Sequence, residues 1–203
     1  LWDIENPHIY RAVSIIETDG MSRDTVTTNF GIRDFYFTPS SGFYLNGRKV
    51  MMKGVNLHHD LGPLGAAFNE SAMRRALEIM VDMGINAVRN SHNIAAPELL
   101  DLCDEMGLMV FNEAFDKWDA TAGMSDDTDF YEYMERNMTN FLLRDRNHPS
   151  VILWSVGNEI RDVQANAPGS EDKIKAVTGY VRNLDPTRPV TMVKDNMNSV
   201  QFE

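Results

Sequence analysis

The sequence predicts an α/β chain in which a short all-β stretch precedes a run of parallel β-to-α units. Three observations carry this. Residues up to about 50 are rich in β-branched and aromatic side chains with alternation. After Lys53, short apolar runs alternate with helical patterns. Turn-forming residues punctuate both regions at Asp19-Gly20, Asn46-Gly47, Gly84 and Gly107.

In order, residues 11–16 and 25–30 form an antiparallel strand pair about Asp19-Gly20. A second hairpin joins 42–45 to 49–52 through Asn46-Gly47, two residues that accept the positive φ of a type I′ turn. Parallel strands are expected at 54–57, 86–89, 108–111, 151–156 and 189–193, with helices at 71–83, 97–106, 128–145 and 171–184. Asn69 caps the first helix, and Gly84 and Gly107 stop the first two. Four such units fit a closed (β/α)₈ barrel and an open doubly wound sheet equally well.

Composition narrows the function classes. With 43% hydrophobic and 24% charged residues the chain carries a globular core, not disorder. The longest apolar run, Val151-Ile152-Leu153-Trp154, is far short of the roughly 20 residues of a membrane helix. A net charge of −11 argues against nucleic acid as a partner. Cys103 has no intrachain disulfide partner and is expected as a buried helical thiol. The chain opens on Leu1 with no targeting segment behind it, so it is expected to be a piece of something longer, of no legible localisation.

In either architecture chemistry gathers at the carboxyl ends of parallel strands. Those ends read Asn56-Leu57-His58-His59-Asp60, Arg89-Asn90-Ser91-His92-Asn93, Asn112-Glu113-Ala114-Phe115-Asp116-Lys117-Trp118, Gly157-Asn158-Glu159 and Lys194-Asp195-Asn196, whereas the amino ends show little of the kind. Glu159 either pairs with an arginine or works as a proton donor, and the hydrogen-bonding amide of Asn158 beside it favours the second. Glu113 is open between a catalytic group and an ion pair with Arg89. His58, His59 and Asp60 are adjacent in an extended chain and cannot all face one metal ion. His92 is expected to face the mouth. Trp118 and Phe115 either stack on the apolar face of a sugar or plug the rim, with ligand contact preferred.

The run Arg144-Asp145-Arg146-Asn147-His148-Pro149-Ser150-Val151-Ile152-Leu153-Trp154-Ser155-Val156-Gly157-Asn158-Glu159 resembles the signature of glycoside hydrolase family 2, the family of β-galactosidases, β-glucuronidases and β-mannosidases. Leu1-Trp2-Asp3-Ile4-Glu5-Asn6-Pro7, Lys53-Gly54-Val55-Asn56-Leu57-His58 and Asn86-Ala87-Val88-Arg89-Asn90-Ser91-His92 resemble further family motifs in the same order. The resemblance implies that residues 1–40 are the last strands of an immunoglobulin-like β-sandwich and that 41–203 begin a (β/α)₈ TIM barrel, incomplete at about five of its eight strands.

The same resemblance implies a retaining mechanism in which Glu159 is the acid/base, Asn158 binds the sugar 2-hydroxyl, and His58, Arg89 and His92 line the pocket. Glu113 matches a third-strand carboxylate and Trp118 is expected at the substrate. The family nucleophile follows the seventh strand, whereas the 151 residues from Lys53 to Glu203 compare with about 250 in a whole barrel. The chain is therefore expected to lack the nucleophile, to be inactive alone, and to self-associate through its unclosed edges. Magnesium-using β-galactosidases carry a glutamate and a histidine a few residues beyond the third-strand carboxylate. Here that stretch, through Asp119, holds Lys117, so no magnesium, other metal or cofactor is expected.

Among sugars, His58-His59-Asp60 and the lack of an obvious clamp for a uronic acid favour a β-galactoside over a β-glucuronide or β-mannoside. Two other classes remain as alternatives: a non-catalytic carbohydrate-binding role, and a metal-dependent hydrolase built on His58, His92 and Glu113.

Overall fold

The computed structural model describes residues 1–118 and 129–194. The all-β opening comprises a long hairpin, β1 (Tyr10–Thr18) and β2 (Met21–Phe30), and a small antiparallel sheet of β3 (Phe35–Thr38), β4 (Gly42–Leu45) and β5 (Arg48–Lys49). Asn46 and Gly47 both adopt positive φ, 50° and 77°, as the turn between β4 and β5 requires.

The second region holds five parallel strands: β6 (Gly54–His58), β7 (Ala87–Ser91), β8 (Met109–Glu113), β9 (Val151–Asn158) and β10 (Val190–Val193). Their spatial order is β10-β9-β8-β7-β6. This strictly sequential order decides what periodicity left open, because a doubly wound sheet reverses its order at a switch point. The helices α1 (Glu70–Asp82), α2 (Pro97–Met106), α3 (Phe130–Asp145), α4 (Arg161–Gln164) and α5 (Ser170–Leu184) fall in the connections, with a 3₁₀ turn at Gly62–Leu64. Among the described residues the sheet is unclosed: β6 and β10 each pair on one side alone.

Two apolar clusters hold this together. The larger sets helix residues Leu77, Leu99, Cys103, Phe141 and Val181 against Val88, Val110, Trp154 and Val156. In the smaller, Trp2, Phe43 and Leu45 meet Ala87, Met109, Ile152 and Leu153. The small sheet thus seats on the amino ends of β7, β8 and β9. Every residue of β9 is buried, as expected of a parallel strand covered on both faces. Cys103 lies in the larger cluster, where burial pushes its thiol well up.

Local rules explain the ends. The Asn69 side chain accepts from the Ala72 amide and starts α1. Gly107 closes α2 at φ 70°; a Cβ there would also lie 2.5 Å from the Ile4 carbonyl oxygen, so two constraints demand glycine.

Three expectations are corrected. The hairpin strand foreseen at 49–52 is only Arg48–Lys49, while β3, α4 and the 3₁₀ turn were not foreseen. Helices foreseen at 71–83 and 128–145 are Glu70–Asp82 and Phe130–Asp145. The amino ends of the strands are not bare: His148 Nδ1 lies 2.7 Å from Asp104, Ser150 N donates to Asp104, and Arg188 pairs with Asp185 at 2.6 Å. Much of the long signature run therefore serves the scaffold, since Asp145 also accepts from Asn112 and Arg144 donates to the Ala95 carbonyl. Finally, Asp119, Asp195 and Asn196, singled out in the sequence, lie outside the described residues. Among the described residues no helix is long and apolar enough to cross a membrane.

Candidate active site

The carboxyl ends of β6 to β9 bring together Arg89, His92, Glu113, Asn158 and, through His92, His58. Glu113 ends β8 and is fully buried, which demands that its charge be met. Four donors meet it. Arg89 donates from Nε to Oε2 at 3.0 Å and from NH2 to Oε1 at 2.7 Å. Ser155 Oγ donates to Oε2 at 2.7 Å, and His92 Nδ1 stands 2.9 Å from Oε1. Asn90 completes the seat, accepting from the Glu113 amide and donating to its carbonyl, both at 3.0 Å.

That accounting assigns roles. A carboxylate offers about four acceptor positions, and those of Glu113 are filled from within the protein. Glu113 therefore lies beneath the mouth as the ion pair with Arg89 left open in the sequence, its carboxylate held by partners within the protein. In the described structure the partner Glu113 takes is the Arg89 guanidinium at 2.7 Å, a cation where a ligand set with His58 and His92 would place a metal ion.

The protons of the cluster follow. Arg89 NH2 has two hydrogens, aimed at Glu113 Oε1 and at Asn158 Oδ1 2.8 Å away. The contact between His92 Nδ1 and a carboxylate oxygen then needs the hydrogen on Nδ1, so His92 donates to Glu113 and keeps Nε2 for other partners. His58 packs edge-on against His92, ring centroids 5.1 Å apart.

Asn158, at the end of β9, is buried and held at three points. Its amide donates to the Asp116 carbonyl at 2.8 Å, its Nδ2 to Asp116 Oδ1 at 2.9 Å, and its Oδ1 accepts from Arg89. Glu159 follows at φ 48°, a conformation unusual for a glutamate, fixed by its amide bond to the Val193 carbonyl. Its side chain is 41% exposed, against 0% for Glu113, with Lys117 Nζ 3.5 Å from Oε2. Partial burial works against the Asp116 charge, but hydrogen bonds from Asn158 and Lys117 outweigh it and hold that carboxyl below its usual range. The bond to Asp116 in turn raises Lys117.

Trp118 is not brought to this mouth. It is 2% exposed in the larger core cluster, and its indole N–H donates to the Val156 carbonyl at 2.8 Å. The indole fills a slot that only glycine leaves at position 157, where a Cβ would lie 2.9 Å from Trp118 Nε1. Trp118 packs behind the Gly157-Asn158-Glu159 turn, the rim-plugging alternative that the sequence left beside sugar contact. Sequence reasoning missed Ser155 and Asn90 as partners of Glu113, and weighed Asp116 and Lys117 only against a metal. Ser155 is directly opposite Glu113 in the β8–β9 register, and that register was the signal available.

Residues 38–202 match the family model described as glycosyl hydrolases family 2, TIM barrel domain. The chain belongs to glycosyl hydrolase family 2. Family 2 membership makes the five-stranded sheet part of a TIM barrel, and the antiparallel strands ahead of the matched residues are consistent with sandwich strands preceding it. The chain is 41% identical over 98% of its length to beta-galactosidase BoGH2A of Bacteroides ovatus, covering 27% of that protein. A putative beta-glucuronidase of Formosa agariphila is 37% identical over the whole chain, which covers 19% of it. The crystal structure of a family 2 member from Bacteroides cellulosilyticus superposes with a TM-score of 0.85 at 39% identity, over 97% of this chain and 26% of that one. The chain thus spans about a fifth to a quarter of the length of these relatives.

Proposed function

We propose that the protein carrying this chain is a retaining glycosidase acting on terminal β-D-galactosides, with Glu159 as its acid/base. One observation carries the assignment. Of the two glutamates at the strand ends, Glu113 is buried and saturated, whereas Glu159 reaches solvent beside an immobilised amide. A proton donor must reach the substrate oxygen, and of this pair Glu159 is the one free to do so.

In the proposed reaction Glu159 protonates the departing glycosidic oxygen while a nucleophile outside this chain attacks the anomeric carbon. Glu159 then removes a proton from the water that opens the glycosyl-enzyme. Arg89 and Asp116 hold Asn158 so that the second hydrogen of its Nδ2 faces the sugar 2-hydroxyl, a bond that strengthens as the ring flattens. His92 offers Nε2, and His58 stands beside it.

Magnesium is not required in this reading. The Lys117 ammonium lies 2.9 Å from Asp116 Oδ1 and 3.5 Å from Glu159 Oε2, where a divalent cation would meet a like charge. The β-galactoside preference is supported by the absence of a clamp for a uronic acid among the site residues described and by BoGH2A at 41% identity. A β-glucuronide is the second reading, favoured by relatives that carry that name.

The test is hydrolysis of nitrophenyl β-galactoside, β-glucuronide, β-mannoside and β-glucoside by the full-length protein, with Glu159→Ala and chelator controls. Turnover of the galactoside that survives chelation and falls with Glu159→Ala is expected. Preference for the glucuronide replaces the substrate, and loss of activity to chelator replaces the mechanism. A Glu159→Ala protein that changes sugar affinity while turnover is intact returns the site to carbohydrate binding alone.

A further inference from the structure

We propose that Asp116 and Lys117 are the positioning residues of the acid/base centre, Asp116 locking the Asn158 amide and the Lys117 ammonium steering the Glu159 side chain. The proposal rests on the reading of Glu159 above. It begins at Phe115, whose φ of 65° turns the chain at the end of β8. That turn sets Asp116 against Asn158 by backbone and side chain together, at 2.8 and 2.9 Å. An arginine only donates and a carboxylate only accepts, so Arg89 on one side and Asp116 on the other allow one orientation of the Asn158 amide.

Lys117 then bridges. Its Nζ joins Asp116 Oδ1 to Glu159 Oε2, and since the Glu159 backbone is already pinned to Val193, the ammonium directs the side chain alone. Other charged groups belong to the elements around this turn: the Arg89, His92 and Glu113 cluster of β7 and β8, Arg161 and Asp162 of α4, and Lys194 after β10. Arg89 and Glu113 neutralise one another at 2.7 Å, and Asp162 is engaged by Lys173 at 3.3 Å. Lys117 is the cation that contacts the Glu159 carboxylate in the described structure.

The proposal fixes signs. Lys117 brings a positive charge to the Glu159 carboxylate and Asp116 pairs with that ammonium, so neutralising the one or the other acts on the site with opposite sign. The kcat/KM profile of the full-length enzyme against pH reports the free acid on its alkaline limb. Lys117→Met is expected to move that limb upward by about one pH unit, the Coulomb attraction of an exposed pair in water-like surroundings. Lys117→Arg, which keeps the charge, leaves it in place. Asp116→Asn keeps an acceptor for Asn158 but removes a negative charge, and moves the limb downward. Lys117→Gln is read in parallel in case the methionine variant fails to fold. An alkaline limb that stays put in both neutral Lys117 variants overturns the proposal. Glu159→Gln separates the two ideas: its inactivity beside an unmoved limb sinks only the role of Lys117, while full activity sinks the acid/base assignment itself.

Discussion

Arg89 joins scaffold and site in a single side chain. Its planar fork saturates half of Glu113, and the same NH2 orients Asn158. Arg89→Met leaves a buried carboxylate without its counter-charge, for which a loss of about 3 to 5 kcal/mol is expected. Urea unfolding of the full-length variant measures it, and kcat falls in the same protein. Gly157→Ala tests the slot behind the catalytic turn. A Cβ there meets Ile160 Cδ1 at 2.7 Å and Trp118 Nε1 at 2.9 Å. Overpacking of about 1 to 3 kcal/mol and a fall in kcat of about a hundredfold from a displaced Glu159 are expected by melting and steady-state kinetics; wild-type values in both contradict the buttress. At this scale the meeting of Arg89, His92 and Asn158 could be anticipated because each follows or closes an apolar strand. The inward turn of Trp118 was not, because an aromatic on a polar loop is placed by the slot it finds, and that slot is made by a residue 39 positions away.

The elements that carry strong periodicity or capping were legible in sequence. Helix α2 was located at 97–106 because Gly107 ends it, and β9 was located by an uninterrupted apolar run. β3 and α4, four residues each, are too short to show a period, and Val50, though outside β5, still donates its amide to the Phe43 carbonyl of β4 at 3.0 Å. What no pattern revealed is how the elements are clasped at their amino ends. Asp185, at the end of α5, accepts from the Trp154 indole and from Arg188. Burial opposes its charge, but Thr187, Arg188 and Trp154 together hold its carboxyl at about 2. A carboxyl depressed below its unfolded value contributes stability that is present above that value and lost as the pH falls through the folded one. Urea unfolding between pH 5 and pH 2 is therefore expected to show acid weakening that Asp185→Asn largely removes, with the variant less stable by about 2 kcal/mol at pH 5. Parallel pH profiles for the two proteins contradict this clasp.

The whole molecule is defined by what its sheet leaves open. Among the described residues β6 and β10 each present an unpaired edge, and the β1–β2 hairpin exposes Val13, Ile15, Ile16 and Val26. Unpaired strands and large apolar faces seek partners, so the 203-residue chain by itself is expected to self-associate in sedimentation velocity runs, whereas a monomer at tens of micromolar contradicts this. That the barrel is singly wound came from strand order in space, which local pattern does not encode; the family resemblance supplied it in advance through Asn158-Glu159 and the motifs before it.

The most direct test of the account is chemical rescue of Glu159→Ala in the full-length protein, using a dinitrophenyl β-galactoside and azide. A leaving group that needs no proton still forms the glycosyl-enzyme, which then waits for a general base. The account predicts that azide restores turnover and yields the β-galactosyl azide, the product of two inversions. An unimpaired Glu159→Ala enzyme, or an azide of the α configuration, contradicts it.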